Sequence, residues 1–412
     1  MNQLSRKLWA AVSVAVGMPM LESTASAQNV DCTTLNNPVY FPATTLLENF
    51  LAQVAPILTD ETKVGADVMT IVHFPLSSCI AYDTHKDQVP LTGTATYYTP
   101  DGVQHVCDMP IESAIQSDLA AMDVGGVACL GGQTPPIDLH EHPSHVETLG
   151  FVVPNNSSQT AITATEAYYI MKFGGQPGFE VQPWSDPNFV LIRNPGSSTQ
   201  LTIGANIGIS GTMWNGALRP HQGSGDVRDA LIAENTTGNA EKVLGILNSS
   251  KWEAAFNDMK VLAFQPFNGC AGAVFPDSTA TSRDKRNVRD GHYPIWTNLR
   301  YVSRGDGADQ VHTSNGVEAG FRTKRFIEFM TGAVVLPALP VAEAVIKTGN
   351  VPACAMHVQR EFDGGPISSF EHPNPCDCFF LEQNGVASGC TQCTADAECG
   401  GGACRLGYCE PR

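Results

Sequence analysis

The chain has 412 residues, enough for about two to three domains, and 42% of them are hydrophobic, as expected for a globular protein with a sizeable core. Its formal net charge of −17 at pH 7 argues against nucleic acid as a partner, because binding to a phosphate backbone requires a basic surface. A small anion stays compatible with this charge, since salt screens exposed charges beyond about 8–10 Å while N–H groups and an arginine act at contact.

Residues 1–27 have the pattern of a secretory signal peptide. Arg6 and Lys7 precede a short apolar stretch over 8–20, and Ala25-Ser26-Ala27 is a suitable cleavage site. The apolar stretch is too short to span a bilayer, and no later stretch is long enough. The sequence therefore predicts a periplasmic or secreted protein that does not span the membrane.

Predicted strands and helices alternate along the chain, which indicates an α/β fold with a largely parallel sheet. In the first part we expect a strand over 39–41, a helix over 46–55, a strand over 68–74, a hairpin over 93–102, strands over 120–127 and 149–154, and a helix over 163–173. In the second part we expect a strand over 189–192, a turn over 193–199, a helix that begins over 200–205, a helix over 241–256, a strand over 261–264 and a helix over 317–330.

The turn that follows the strand over 189–192 is the most informative segment. It contains Arg193 and Gly196, then the hydroxyl side chains Ser197, Ser198 and Thr199. A helix that begins after such a turn presents free N–H groups and the positive end of its dipole, and arginine adds a planar set of donors that matches an oxyanion. The alternative interpretation is an ordinary helix N-cap.

A second turn of this kind follows the strand over 39–41. Thr44 and Thr45 precede the helical stripe over 46–55, so that they either bind an anion or simply cap the helix. A third polar turn contains Ser77 and Ser78 after the strand over 68–74.

Together these segments resemble the type II periplasmic solute-binding proteins, specifically the phosphate-binding proteins of bacterial ABC transporters. The family signature Arg-x-x-Gly-Ser-Gly-Thr is similar to the segment 193–199, with Ser198 in place of the second glycine. The segments 43–45 and 76–79 look like the first two ligand loops of the family, and 291–294 looks like its Gly-x-Tyr-Pro crossover. The helix over 323–329 resembles a late helix of the first lobe.

The resemblance implies a two-lobed periplasmic-binding-protein type II fold, with lobe one over 38–150 and 297–350 and lobe two over 151–296. It implies a binding protein rather than an enzyme, with no cofactor and no metal, and an ABC permease as a possible partner. The ligand would be a small oxyanion, phosphate first, in the cleft between the lobes. The implied ligand-binding residues are Thr44, Thr45, Ser78, Arg193, Ser197, Ser198 and Thr199.

The sequence departs from the family at one acidic position. The family has a carboxylate in its third loop, which accepts the proton of hydrogen phosphate. In the matching segment, 123–129, the alignment places this position near Val127 or Ala128, and Asp123 replaces it only in a different register. This departure leaves open an alternative function, a non-binding envelope scaffold or adhesion protein derived from the same fold.

The chain contains 13 cysteines, and seven of them lie within residues 376–409. A tail over 376–412 with few large apolar residues cannot form a core of its own, so we expect it to be stabilised by disulfides in an oxidising compartment. Zinc is the alternative, although no histidine other than His372 lies near these cysteines. The odd total leaves one cysteine without an intramolecular partner.

The segment 138–145 contains three histidines and two acidic residues, a composition that can bind zinc or copper. Its proline and the spacing of His140 and His142 differ from the helical His-Glu-x-x-His motif, so a solvated loop is the preferred interpretation. A metal-dependent secreted enzyme stays open as a third hypothesis, and no Gly-x-Ser-x-Gly motif indicates a serine hydrolase.

Overall fold

The computed structural model describes residues 29–214, 219–267, 272–306 and 311–411, so the signal peptide predicted for residues 1–27 lies outside the described residues. The strands are β1 (Val30–Asp31), β2 (Pro38–Thr44), β3 (Thr70–Leu76), β4 (Gly93–Tyr98), β5 (Gln104–Met109), β6 (Ala120–Met122), β7 (Leu139–Pro154), β8 (Ala161–Thr163), β9 (Val190–Arg193), β10 (Arg219–His221), β11 (Leu244–Asn248), β12 (Met259–Val261), β13 (Ala263–Gln265), β14 (Trp296–Arg304), β15 (Val358–Gln359), β16 (Ser368–Ser369), β17 (Ala403–Arg405) and β18 (Tyr408–Glu410).

The helices are α1 (Glu48–Leu58), α2 (Glu61–Val64), α3 (Ser78–Lys86), α4 (Gly126–Cys129), α5 (Ala164–Phe173), α6 (Ser198–Asn206), α7 (Ser224–Glu234), α8 (Ser249–Ala254), α9 (Arg286–Arg289), α10 (Val317–Met330), α11 (Val341–Lys347) and α12 (Asp377–Gln383). No helix within the described residues is both long enough and apolar enough to span a membrane.

Most strands belong to one continuous sheet, in the order β1-β5-β4-β3-β2-β6-β14-β7-β11-β9-β10, with β12 also paired to β7. We call the part around β3-β2-β6-β14 lobe one and the part around β10-β9-β11-β7 lobe two. In each lobe three strands are parallel, and their order places the first strand between the second and the third. The predicted two-lobed α/β fold is thereby confirmed.

Strand β7 connects the lobes. Its first part, Leu139 to Thr148, pairs antiparallel with β14, and its last part pairs antiparallel with β11. Because β14 also pairs with β6, the chain passes between the lobes along two adjacent antiparallel strands.

Each lobe has its own apolar core. In lobe one the stripe of α1, which includes Phe50 and Val54, packs with Phe41 of β2 and Phe326 of α10. In lobe two Phe151, Ile203 and Leu244 are buried with their neighbours. Because complete burial of such a side chain is worth about 1.5–3 kcal/mol, these two cores fix the helices against the sheet and so fix the positions of the loops between them.

Several predicted elements are wrong in extent or type: the strand over 149–154 is the end of the longer β7, and the strand over 261–264 is divided between β12 and β13. The helix predicted over 241–256 is instead strand β11 followed by the short helix α8. Residues Leu244 to Asn248 are all buried between β7 and β9, and a strand buried on both faces has no alternation that would distinguish it from a helix. The strand predicted over 120–127 ends at Met122, and α4 begins at Gly126.

The solvated loop predicted for residues 138–145 is also wrong, because this segment forms the first half of β7. Nε2 of His142 lies 2.8 Å from the hydroxyl of Ser303 on β14. Nε2 of His140 lies 3.1 Å from the carbonyl oxygen of Gly305, which directly follows β14. Pro143 is tolerated because the register shifts between Asn298 and Arg300 of β14, opposite the proline.

The predicted disulfides of the C-terminal tail are confirmed. Within the tail the pairs are Cys378–Cys390, Cys393–Cys404 and Cys399–Cys409. Cys354–Cys376 links the tail to the preceding segment, and Cys32–Cys107 and Cys79–Cys129 lie in lobe one. The thirteenth cysteine, Cys270, lies outside the described residues.

Candidate ligand-binding site

The carboxyl ends of three parallel strands meet at one edge of lobe one. Thr44 of β2 is in register with Leu76 of β3, and Ala43 of β2 is in register with Ala121 of β6. The polar residues that follow these strands therefore lie side by side, as in other doubly wound sheets, where this edge is the usual position of a ligand.

Thr44 and Thr45 occupy the first of these loops. The hydroxyl of Thr44 accepts a hydrogen bond from the backbone N–H of Leu46 at 3.4 Å, so Thr44 caps the short 3-10 turn over 45–47 that leads into α1. Thr44 is buried and Thr45 is half-buried. Thr44 is therefore a helix cap, as one of the two interpretations predicted. Its hydroxyl accepts a hydrogen bond in this role and can still donate one.

Ser78 is the first residue of α3, and its hydroxyl donates a hydrogen bond to Oδ1 of Asp123. Asp123 directly follows β6 and is completely buried, and its Oδ2 has no hydrogen-bond partner in the protein. The resemblance places the acidic position of the family near Val127 or Ala128, where this chain has no acid; Val127 is exposed, and the buried carboxylate directly after β6 is that of Asp123.

Arg193 ends strand β9 of lobe two and is buried. One terminal nitrogen of its guanidinium donates to the hydroxyl of Ser224, and the other donates to the carbonyl oxygen of Gln222 at 2.8 Å. Its Nε has no partner in the protein, although it is buried. Burial lowers the pKa of Arg193, and the carboxylates of Asp123 and Asp226 act in the opposite direction. Arginine stays charged, so a buried cation with an unused donor lies beside Asp123.

The residues after Arg193 form the predicted turn and helix start. The hydroxyl of Ser197 accepts a hydrogen bond from the N–H of Gln200 at 3.2 Å and caps α6. Ser198 and Thr199 form the first turn of α6, both are buried, and the hydroxyl of Thr199 has no partner in the protein. The N-cap is therefore confirmed at Ser197, and Thr199 keeps a hydroxyl that no protein group uses.

The loops of the two lobes contact each other at Gly196. The backbone N–H of Cys79, at the start of α3, donates to the carbonyl oxygen of Gly196 across 3.4 Å. A methyl group at Gly196 would lie 3.7 Å from Cβ of Cys79 and 3.8 Å from the hydroxyl of Ser77. The N-terminus of α3 in lobe one thus lies against the turn that begins α6 in lobe two.

Two ionisable residues that sequence analysis missed complete this buried group. Glu147 on β7 is completely buried, and its carboxyl group adjoins the side chains of Asp123 and Asn248 without a well-formed hydrogen bond to either. Burial and the neighbouring carboxyl of Asp123 raise its pKa well above the usual value. Lys251 on α8 is buried too, with its Nζ 3.9 Å from a carboxylate oxygen of Glu48, and burial lowers its pKa.

The sequence contains a weak signal for both residues. Glu147 is a lone acid immediately before the apolar run of β7, and Lys251 follows two serines after the apolar run of β11. An ionisable side chain beside a buried apolar run is uncommon without a partner or a function. That signal was obscured here because the helix predicted over 241–256 placed Lys251 on a helix face.

The interface between the lobes therefore combines hydroxyl donors, helix N-termini, two cations and two carboxyl groups. Buried polar atoms are normally hydrogen-bonded, so a group of atoms without protein partners around Asp123, Glu147, Arg193 and Thr199 is characteristic of a polar ligand site. Within the described residues, three potential metal ligands come together only at Cys393, Cys399 and Cys409 of the tail, whose sulfurs all belong to disulfides.

No protein-family model and no curated protein matches the sequence. Among solved structures, the chain is similar to a putative phosphate ABC transporter substrate-binding protein with bound phosphate from Clostridium perfringens, with a TM-score of 0.47 and 13% identity over 77% of this chain and 100% of that one. It is also similar to an ABC-type phosphate transport receptor from Vibrio cholerae, with a TM-score of 0.43 and 13% identity over 76% of this chain and 99% of that one.

Another similar structure is the CcmR regulatory domain of Synechocystis in complex with 2-PG, with a TM-score of 0.38 and 10% identity over 72% of this chain and 97% of that one. Proteins similar to this chain thus include transport receptors as well as a regulatory domain.

Proposed function

We propose that this protein is a periplasmic or secreted solute-binding protein that captures a small oxyanion, phosphate, between its two lobes. The observation that carries the proposal is the buried arrangement of Arg193 and Asp123 at the point where the start of α3 meets the turn before α6. A cation supplies attraction for the anion, and a carboxylate restricts the site to an anion that brings its own proton.

In this proposal lobe two supplies Arg193 and the hydroxyl and N–H groups of Ser197, Ser198 and Thr199. Lobe one supplies Thr44, Thr45 and Ser78, with Asp123 as the acceptor for a hydroxyl of the ligand. The lobes correspond to residues 38–150 with 297–350, and to residues 151–296. Closure of the lobes removes water from the ligand, so that each hydrogen bond acts in a medium of lower dielectric constant.

The support for phosphate over sulfate comes from Asp123. At neutral pH sulfate offers only acceptors, so it would leave the unpartnered Oδ2 of Asp123 facing another anion. An unsatisfied or repelled buried charge costs about 1.5–3 kcal/mol or more, which is enough for a clear preference. An ABC permease would be the partner that receives the ligand, and no enzymatic step is part of the proposal.

The decisive test is a thermal-shift and titration-calorimetry panel with phosphate, arsenate and sulfate on the disulfide-bonded protein without its residues 1–27. Phosphate and arsenate are expected to raise the unfolding temperature and to give one binding site per chain, because a ligand that binds only the folded state stabilises it. Sulfate is expected to bind more weakly. No shift with any of the three anions would contradict the proposal.

A second function, a non-binding scaffold, is favoured by a different observation. The N–H groups of Gly125 and Gly126 at the start of α4 donate to carboxylates of Asp363 and Glu141 at 2.7 and 2.8 Å, so this helix end is occupied by the protein itself. Asp363 also accepts from the hydroxyl of Thr297 at 2.7 Å and lies in the segment that leads to the cysteine-rich tail. A scaffold would show no thermal shift in the panel above.

A further inference from the structure

Glu147 is a buried acid whose role the fold does not explain. It lies on β7 opposite Thr297 of β14 and has no exposed surface, and its carboxyl group adjoins the side chains of Asp123 and Asn248 without a well-formed hydrogen bond to either. A buried polar group without a partner is destabilising, and an apolar side chain would fill the same place without that cost. A ligand that uses this carboxyl group would account for it.

Charged or titratable groups face Glu147 from each element that packs around it. Asp123 follows β6, Lys251 lies on α8, and Tyr301 lies on β14. His145, two residues earlier on β7, has its Nε2 3.9 Å from a carboxyl oxygen of Glu147.

Of these groups, only Lys251 contributes a positive charge near neutral pH. Burial lowers the pKa of His145 to about 3, so its ring is neutral, and burial raises the pKa of Tyr301, so its hydroxyl stays protonated. Burial and the neighbouring carboxyl group of Asp123 both raise the pKa of Glu147, and the positive charge of Lys251 opposes this rise only in part. Glu147 is therefore the carboxyl group that holds a proton, while Asp123 is the one that receives a hydrogen bond from Ser78.

We propose that Glu147 is a specificity-determining residue of the oxyanion site, where its protonated carboxyl donates a hydrogen bond to the ligand while Asp123 accepts one from it. This inference rests on the proposed function. The two acids then recognise a ligand that both donates and accepts, which describes hydrogen phosphate and hydrogen arsenate. Sulfate satisfies Glu147 but gives Asp123 nothing to accept.

The same arrangement makes binding depend on pH in a particular way. When Glu147 loses its proton, a second negative charge adjoins the bound anion and the hydrogen-bond donor is lost. The affinity for phosphate is therefore expected to fall as pH rises through the titration of Glu147, in addition to any change caused by phosphate or Asp123. Glu147→Gln keeps the shape and a neutral donor at every pH, so this substitution isolates the contribution of Glu147.

The experiment is titration calorimetry of phosphate on the disulfide-bonded protein without its residues 1–27, from pH 5 to pH 9, with the wild type and Glu147→Gln. The ratio of the wild-type Kd to the variant Kd cancels the titration of phosphate, which is the same for both proteins. We expect this ratio to be near one at pH 5 and to rise about tenfold for each pH unit above the pKa of Glu147. Glu241→Gln is the matched control, because Glu241 is a carboxylate that accepts hydrogen bonds from Ser158 and Gln159 and is not part of the proposed site. The ratio of the wild-type Kd to the Glu241→Gln Kd should stay constant with pH.

Lys251 also titrates, so the comparison is repeated in a background in which Lys251→Arg keeps this position charged at every pH. The ratio of the Kd of Lys251→Arg to the Kd of the double variant with Glu147→Gln should rise with pH in the same way. If Glu147→Gln does not fold, Glu147→Leu serves instead: it removes the donor and the charge, so it should bind phosphate less well than the wild type at pH 5 and lose less affinity than the wild type as pH rises.

The outcomes separate the two proposals. Phosphate binding to the wild type with a constant ratio from pH 5 to pH 9, together with undiminished phosphate affinity of Glu147→Leu at pH 5, overturns the role of Glu147 and leaves the proposed function intact. Absence of binding of both phosphate and arsenate to the wild type at every pH overturns both. A ratio that rises in the wild-type background but not in Lys251→Arg assigns the effect to Lys251 and also overturns the role of Glu147.

Discussion

The two lobes have the same strand order but carry opposite charges at the corresponding edge. The order β10-β9-β11-β7 of lobe two repeats the order β3-β2-β6-β14 of lobe one. Lobe one ends its three parallel strands in Thr44, Ser78 and Asp123, whereas lobe two ends its strands in Arg193 and, after β11, in Lys251. Topology thus places the loops, and the side chains in them decide which lobe attracts an anion.

The difference also concerns preorganisation. Arg193 is held inside lobe two by Ser224 and Gln222, and Asp123 is held inside lobe one by Ser78. Each charge therefore keeps its position through contacts of its own lobe. Arg193 and Asp123 are opposite charges on different lobes, and a buried charge without a countercharge is costly. If the lobes separated, water would therefore have to solvate both groups. We expect the charged residues to affect ligand affinity most and the caps to affect it least.

The largest expected effect comes from removal of the cation in lobe two. Arg193→Ala should weaken phosphate binding by about 2–5 kcal/mol, because loss of one side of a buried charge pair leaves the other uncompensated. Titration calorimetry measures the change, and Arg286→Ala, an exposed arginine on α9 of the same lobe, is the control. Affinity equal to the wild type in Arg193→Ala would remove Arg193 from the site.

The second effect tests the acid of lobe one. Asp123→Asn should change the ratio of phosphate affinity to sulfate affinity by about 1.5–3 kcal/mol, because an amide no longer repels sulfate and accepts a hydrogen bond less strongly than a carboxylate. Competition of each anion in the same titration measures this ratio. Asp101→Asn, in an exposed turn of lobe one, should leave it unchanged; an unchanged ratio in Asp123→Asn would show that selectivity arises elsewhere.

Local patterns predicted much of the fold. The helix over 317–330 has its predicted bounds, and α5 begins after Thr163, whose capping box with Glu166 is a local sequence signal. The turn at 193–199 follows a strand and begins a helix, as predicted. These features depend on periodicity and capping within a few residues, which a single sequence contains.

The rest of the site depends on contacts between distant segments. Asp123 follows β6, Glu147 lies in the middle of β7, and Lys251 lies on α8 after β11, and nothing near each of them in sequence indicates the other two. The order of the strands brings them together. The misassigned β11 shows the same limit, because its burial on both faces results from β7 and β9 rather than from its own residues. The positions of Thr44, Thr45 and the other proposed ligand residues in a bound state stay predictions.

Acid should destabilise lobe one through its histidines. Among the described residues the buried histidines are His73 on β3, His85 on α3 and His145 on the first half of β7, and burial lowers their pKa values to about 4, 3 and 3. They are neutral in the folded state, whereas an unfolded histidine binds a proton below about pH 6.5. The unfolded state therefore binds more protons in this range, and stability is lost as pH falls below about 6.5.

Each of these histidines should lower the free energy of unfolding by about 2 kcal/mol when the pH falls from 7 to 5. His145→Leu should remove its share, because the leucine does not titrate and can pack against Phe50, the ring neighbour of His145. Denaturant unfolding at the two pH values measures the difference, and His292→Leu, at an exposed position, is the matched control. An equal loss between pH 7 and pH 5 in His145→Leu and the wild type would contradict the assignment.

The smallest effect separates capping from ligand binding in lobe two. The hydroxyl of Ser197 accepts from the N–H of Gln200 at 3.2 Å, and the hydroxyl of Thr163 accepts from the N–H of Glu166 at 3.0 Å at the start of α5. Loss of either cap should lower the unfolding free energy by about 1 kcal/mol. Because only Ser197 lies in the proposed site, Ser197→Ala should also weaken phosphate binding, whereas Thr163→Ala should not. If both variants lose stability and both keep full affinity, Ser197 serves only as a cap, and the anion contacts of lobe two reduce to Arg193 with Ser198 and Thr199.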